Sequence, residues 1–337
     1  MDSISQFVLG ASVAEAFWGK RIGNKALLWG GLLGTLPDLD VIPGYYMEDL
    51  ARVEFHRGPS HSIFLFALIS YPIAVSIIKL HKDKGMTLFN GIIGVFTILF
   101  THALLDMCTT WGTKILWPFS TEAYAWQIVF VVDPLYTLPF LIALCMLMWF
   151  NRQNKWRWRL NIAALILSTT YLGWCTIAKN VIIDEIEPEL ASYNESILKI
   201  NTRPAPLNSF LWATTVETKQ AYYCYYTSLF DTNIQKPSVF KKDLKSREQW
   251  KNRKDFQQLL RITQGQIRIQ KKEKGIEVAD LRFGQTGGWS DNKSDFVFRY
   301  FLEEKLDNNR EISYALPRPQ TDNKKALKAL WHRIWGI

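Results

Sequence analysis

Six residues near the start of the chain are of the types that hold metal ions, and they fall in three short motifs. Asp38 and Asp40 stand in TLPDLD, His56 and His61 bracket HRGPSHS, and His102 and Asp106 lie four apart in THALLD. Imidazole nitrogens and carboxylate oxygens together suit zinc, with manganese or iron as alternatives. Six candidate donors exceed the four that one zinc takes, so one ion or a two-metal cluster is expected. Such a centre activates water for hydrolysis. Asp40, or Asp133 in VVDPLYTLP, would then accept the proton, and Arg57 beside His56 would clamp an anionic group such as phosphate. Each motif alone has a plainer reading: a solvated helix end, a helix cap through Ser60 or Ser62, a satisfied polar pair. Three of the five histidines, however, fall within these motifs.

The elements that must position these residues are apolar. Four stretches, Ser62 to Leu80, Leu88 to Met107, Ile128 to Phe150 and Leu160 to Ile183, approach or reach the roughly 20 helical residues that cross a bilayer. Two shorter ones, Ile4 to Trp18 and Asn24 to Leu36, make six segments in all, the first two as tilted spans or a re-entrant hairpin. Gly30, Gly31 and Gly34 in the second would let a neighbouring helix approach closely. Glu15 lies on the apolar stripe of the first segment, where pairing with a basic loop residue is the favoured expectation.

Ten basic residues, Lys20, Arg21, Lys25, Lys79, Lys82, Lys84, Arg152, Lys155, Arg157 and Arg159, occupy alternate connections, whereas the loops between carry only Arg52, Arg57 and Lys114. The basic side is expected to be cytoplasmic. All six candidate ligands then fall at the outer ends of their segments, and the C-terminal half lies outside the cytoplasm.

Residues 1–183 therefore read as an α-helical polytopic membrane domain. Residues 184–337 read as a soluble α+β domain dominated by an antiparallel sheet. The stretch DEIEPELASYNESILKI is helix-compatible. FLWATTVET, AYYCYYTSLF, QIRIQKKEKGIEVADLRFG and DFVFRYFLEE alternate aromatic or branched with polar residues, giving about five or six strands. In KKALKALWHRIWGI, Leu327, Leu330, Trp331 and Ile334 share helical spacing opposite lysines, which fits an interfacial helix on a membrane or a helix docked on the sheet.

The net charge of +9 belongs largely to the membrane loops and to a spread-out C-terminal half, so nucleic-acid binding is not expected. Four cysteines without CxxC spacing give no sign of a disulfide framework or zinc ribbon. The N-terminus lacks the basic start and small-residue cleavage site of a signal peptide and is expected to remain in the mature protein. Membrane lipid, a lipid-like substrate and an envelope protein are the expected partners.

Taken together, MDSISQFVLGASVAEAFWGKRIGNKALLWGGLLGTLPDLDV, FHRGPSHS, THALLDMCTTWGT, WPFS and VDPLYTLP resemble the bacterial membrane-bound metal-dependent hydrolases of the inner-membrane YdjM type. The resemblance covers residues 1 to about 180 and continues more loosely through PAPLNSFLW and YYTSLFD. It implies an inner-membrane location, hydrolysis, and metal held by Asp38, Asp40, His56, His61, His102 and Asp106. Family members often carry a histidine near the N-terminus, where this chain has Gln6.

Overall fold

The computed structural model describes residues 1–82, 84–191, 195–290, 294–305, 311–320 and 322–336. Local chemistry sets the first helices. Asp2 accepts hydrogen bonds from the backbone N–H groups of Ile4 and Ser5 and so starts α1 (Ser3–Ile22), which Gly23 ends at a φ of 60°. α2 (Asn24–Thr35) follows directly and gives way at Pro37 to a single 3-10 turn, Pro37–Asp40. After the short α3 (Val41–Gly44), α4 (Asp49–Phe55) and a second 3-10 turn at Pro59–His61, Ser62 caps α5 (Ile63–Leu80) and Thr87 caps α6 (Leu88–Met107). Asp133 caps α7 (Pro134–Leu147), and α8 runs for 37 residues (Lys155–Ala191).

α5, α6 and α8 are long and apolar enough to cross a membrane, and α7 is a shorter apolar helix. α1 is as long as a span but carries Glu15, while α2 has only 12 residues.

The chain divides into two compact units. The first comprises residues 1–43, 55–176 and 206–208; the second comprises 44–54, 177–205 and 209–337. The first unit centres on Trp18, Phe66, Ile98, Leu99, Phe140 and Leu147, all fully or almost fully buried. Its α1 and α2 touch backbone to backbone: a Cβ on Gly10 would lie 2.3 Å from the Gly30 carbonyl, and one on Gly34 would lie 2.5 Å from the Gln6 carbonyl. The partner helix expected for the glycines of α2 is therefore α1. Glu15 pairs through both carboxylate oxygens with Arg157 of α8, at 2.6 and 2.7 Å, and Arg157 also donates to Asn24. Arg157 accordingly turns inward and is not a free loop cation.

In the second unit, the antiparallel structure forms two four-stranded sheets among the described residues, where one sheet of five or six strands is expected. The first holds β1 (Ile197–Pro204), β2 (Leu211–Thr218), β3 (Ala221–Ser228) and β4 (Ser238–Lys241) in that order. The second holds β5 (Ile267–Lys272), β6 (Gly275–Asp280), β7 (Arg299–Glu303) and β8 (Ser313–Ala315). Two helices, α9 (Leu244–Trp250) and α10 (Lys254–Ile262), intervene and interrupt the meander. The helix-compatible stretch from Asp184 is helical to Ala191, yet its last residues, from Ile197, open β1; residues 192–194 lie outside the described set.

The segment 44–54 belongs to this second unit. Leu50 is buried with Trp250, Phe256, Leu259 and Ile267; the Asp49 carboxylate accepts from the Ala315 N–H; Glu54 accepts from Gln258 and pairs with Arg261. The last helix, α11 (Asn323–Ile334), packs Leu330 and Ile334 against Ala205 and Leu211, and its Arg333 forks onto both oxygens of Asp231 at 2.6 Å.

Candidate metal centre

Four of the six predicted ligands meet, delivered by three local constraints. Asp38 comes from the turn forced by Pro37 at the end of α2, and His61 from the turn that precedes α5. His102 and Asp106 share a face of α6 at i, i+4. One ligand atom from each lies within 4.8 Å of all the others. His61 Nε2 is 3.1 Å from His102 Nε2, 3.1 Å from Asp106 Oδ2 and 3.6 Å from Asp38 Oδ1. His102 Nε2 is 3.6 Å from Asp106 Oδ2 and 3.7 Å from Asp38 Oδ1. A tetrahedron with ligands about 2.0–2.2 Å from its centre has edges of about 3.3–3.6 Å. The spacing and the donor set therefore fit one four-coordinate divalent ion.

Hydrogen bonding fixes which nitrogens face inward. The Gly34 carbonyl, 2.6 Å from His102 Nδ1, can only accept, so that nitrogen carries the hydrogen and Nε2 keeps its lone pair. Ser60 donates its hydroxyl hydrogen to Asp40 Oδ2 at 2.7 Å and accepts from His61 Nδ1 at 2.9 Å, which again leaves Nε2 as the acceptor. Two imidazole lone pairs and two carboxylates thus converge, an arrangement that could hold a metal ion. A backbone carbonyl, as at His102, commonly orients a metal-binding histidine; at His61 the Ser60 hydroxyl does so and is itself held by Asp40.

Asp40 and His56 are not among the four convergent groups. Asp40 Oδ1 holds His56 Nδ1 at 2.8 Å, and its Oδ2 accepts the Arg57 N–H at 2.9 Å as well as Ser60. Burial pushes the Asp40 carboxyl up, but these hydrogen bonds outweigh it and hold it below the usual carboxylate value. The same balance raises His61: burial lowers it, and Asp106 with Asp38 more than reverses this. His56 keeps a quarter of its side chain exposed and meets Trp111 edge to face.

Arg57, at a φ of 59°, lies with Nε 3.0 Å from Asp106 Oδ2 and donates to Thr109 Oγ1 at 3.0 Å. Asp133 caps α7 through Oδ1 and accepts from Tyr171 through Oδ2 at 2.8 Å. Asp106 Oδ1 also receives the Met1 amino group and Gln6 Nε2, the latter at 2.9 Å. Gln6 thus reaches the site, and its buried Oε1 has no hydrogen-bond partner among the described residues. Sequence reasoning missed Ser60 and the Gly34 carbonyl as supports. A serine directly before a histidine was the signal for the first, and a backbone carbonyl leaves no signal.

The sequence model of one family, described as YdjM inner membrane protein, matches residues 1–182. Neither the curated proteins nor the solved structures provide a match.

Proposed function

The chain belongs to the YdjM inner membrane protein family, and on that premise we propose that it is a metal-dependent hydrolase of the bacterial inner membrane. The observation that carries this reading is the convergence of four inward-facing acceptors, Asp38, His61, His102 and Asp106, on one point. Asp38, His61, His102 and Asp106 would hold a divalent ion, zinc first and manganese or iron next, which would supply Lewis acidity and would activate water for hydrolysis. The chain's own residues do the rest. Asp38 is the one ligand of the four with a substantially exposed side chain, so it marks the side from which substrate arrives. Asp40 fixes His56 through Nδ1 and leaves Nε2 to take a proton. Arg57 holds Asp106 in place, and Asp133 secures the first turn of α7.

The substrate class is a lipid or lipid-linked ester or phosphoester, because a site at the ends of apolar helices meets such molecules at high local concentration. Basic loops on the opposite side favour an extracytoplasmic site and C-terminal half. The packing of residues 44–54 into the second unit supports a common side for that loop and the C-terminal half. A phosphatase or fluorescent reporter fused after Ile337 tests the orientation.

A second reading, a metal-stabilised scaffold for envelope proteins, draws support from the count of protein ligands, since four close a structural site whereas catalytic zinc keeps a water position. Elemental mass spectrometry on detergent-purified protein decides first. Stoichiometric metal, lost in both His61→Ala and His102→Ala, supports the centre, and hydrolysis of a lipid ester or phosphoester by the loaded wild type then supports the enzyme. Metal without any hydrolysis favours the scaffold. Absence of metal after reconstitution overturns both.

A further inference from the structure

α11 uses one face to dock and leaves another open. Leu330, Arg333 and Ile334 are buried, while Leu327, Trp331 and Trp335 are 51%, 60% and 45% exposed. At 3.6 residues per turn, Lys324, Leu327, Lys328, Trp331 and Trp335 fall within an arc of about 100°. The open arc is therefore aromatic and aliphatic with lysines on the same side. It continues onto the body of the unit: Trp335 meets Trp331 edge to face and stacks on Phe230 at 4.9 Å, and Phe230 stacks on Phe210 at 5.8 Å. Phe230 is itself 45% exposed.

We propose that this arc, Leu327, Trp331 and Trp335 with Lys324 and Lys328, is a contact surface for an anionic lipid bilayer. Tryptophan carries an apolar body and an N–H that prefers the headgroup level, and lysine stems reach outward from there to lipid phosphates. Charge selects the occupant: two lysines beside the aromatic face complement an anionic membrane surface. The chain also ties this unit to a candidate span, because α8 is long and apolar enough to cross a bilayer and its last residues, Ala178, Ile182, Ile186 and Leu190, pack in the core of this same unit. The inference stands apart from the hydrolase reading and uses none of its residues.

The test places a nitroxide at Leu327→Cys, and separately at Lys325→Cys on the far edge of the helix, in full-length protein carrying Cys145→Ala. The parent without an introduced cysteine corrects for other thiols. Each protein is reconstituted in nanodiscs of phosphatidylcholine alone or mixed with phosphatidylglycerol. Collision with oxygen reports lipid, and collision with a nickel chelate reports water. The 327 label should become lipid-exposed in the anionic discs while the 325 label stays in water. Lys324→Gln with Lys328→Gln should weaken that preference on the order of thirtyfold, from about fivefold per lysine. Equal water exposure of both labels in both lipids overturns the proposal. Shielding of the 327 label accompanied by spin coupling between labels also overturns it, in favour of a second copy of the chain. Hydrogen exchange over residues 323–335 of the unlabelled protein supplies the answer without substitution: slower exchange in the anionic discs supports the bilayer, and equal exchange overturns it.

Discussion

Ser60 is a single hydroxyl between the Asp40 carboxylate and His61 Nδ1, and its loss isolates the effect of orientation from that of ligation. Ser60→Ala leaves every ligand in place but frees the His61 ring to turn or change tautomer. Metal affinity should fall about 10–100-fold, measured by competition with a chelator of known affinity, while the helical circular dichroism stays unchanged. Protons compete at the same nitrogen. His61 is raised above its ordinary 6.5 by Asp106 and Asp38, so the metal-free protein gains stability from the protonated ring below pH 6.5 and loses it as pH rises through the raised value. Metal needs the neutral ring, so affinity has the opposite slope. It should be full above the raised value and fall by about tenfold per pH unit beneath it. Calorimetric titration at several pH values checks the slope, and a flat profile would remove His61 from the ligand set. The gathering of Asp38, His61, His102 and Asp106 was legible because histidine is scarce in this chain and the motifs sit at segment ends. The division of the motif residues into four convergent ligands and an adjacent Asp40–His56 pair was not, because it depends on the turns at Pro37–Asp40 and Pro59–His61.

At the level of elements, the contact of α1 with α2 is set by glycine. A Cβ on Gly30 would lie 2.2 Å from the Gly10 carbonyl and 2.5 Å from Ala14 Cβ, so Gly30→Ala must push the helices apart. The expected cost is about 1–3 kcal/mol, read as a lower thermal midpoint in detergent. The displaced helix carries Gly34, whose carbonyl holds His102, so metal content should fall in the same variant. Unchanged metal content would mean that α2 can shift without moving this carbonyl. The small-residue pattern in Asn24–Leu36 and the apolar runs gave the helices away, because lipid demands continuous apolar sequence. The sheets were harder to read. β4 and β8 have four and three residues, too few to show alternation. β1 begins with a lysine-containing stretch of mostly exposed residues, which resembles a helix end as much as a strand. Which strands share a sheet depends on α9 and α10, whose role in separating β4 from β5 has no local signature.

For the whole molecule, the sequence suggests a cut at residue 183, but the second unit also takes in residues 44–54. Leu50 is almost fully buried there, so Leu50→Ala should cost about 2–5 kcal/mol and make the C-terminal sheets more sensitive to limited proteolysis. A variant as protease-resistant as the wild type would show that the unit folds without this segment. The loop gave no warning of this role, because a single leucine in DLARVEF looks like any short surface helix until its partners far along the chain are known. The consequence concerns the order of events at the ribosome. Glu54 and its partner Gln258 are 204 residues apart, so at about 5–20 residues per second the loop waits on the order of 10–40 s for the surface it packs on. Asp38 and His61 flank that waiting loop. The segment between them is therefore expected to stay open to protease until the C-terminal half has been made, a delay that a truncated nascent chain should make permanent.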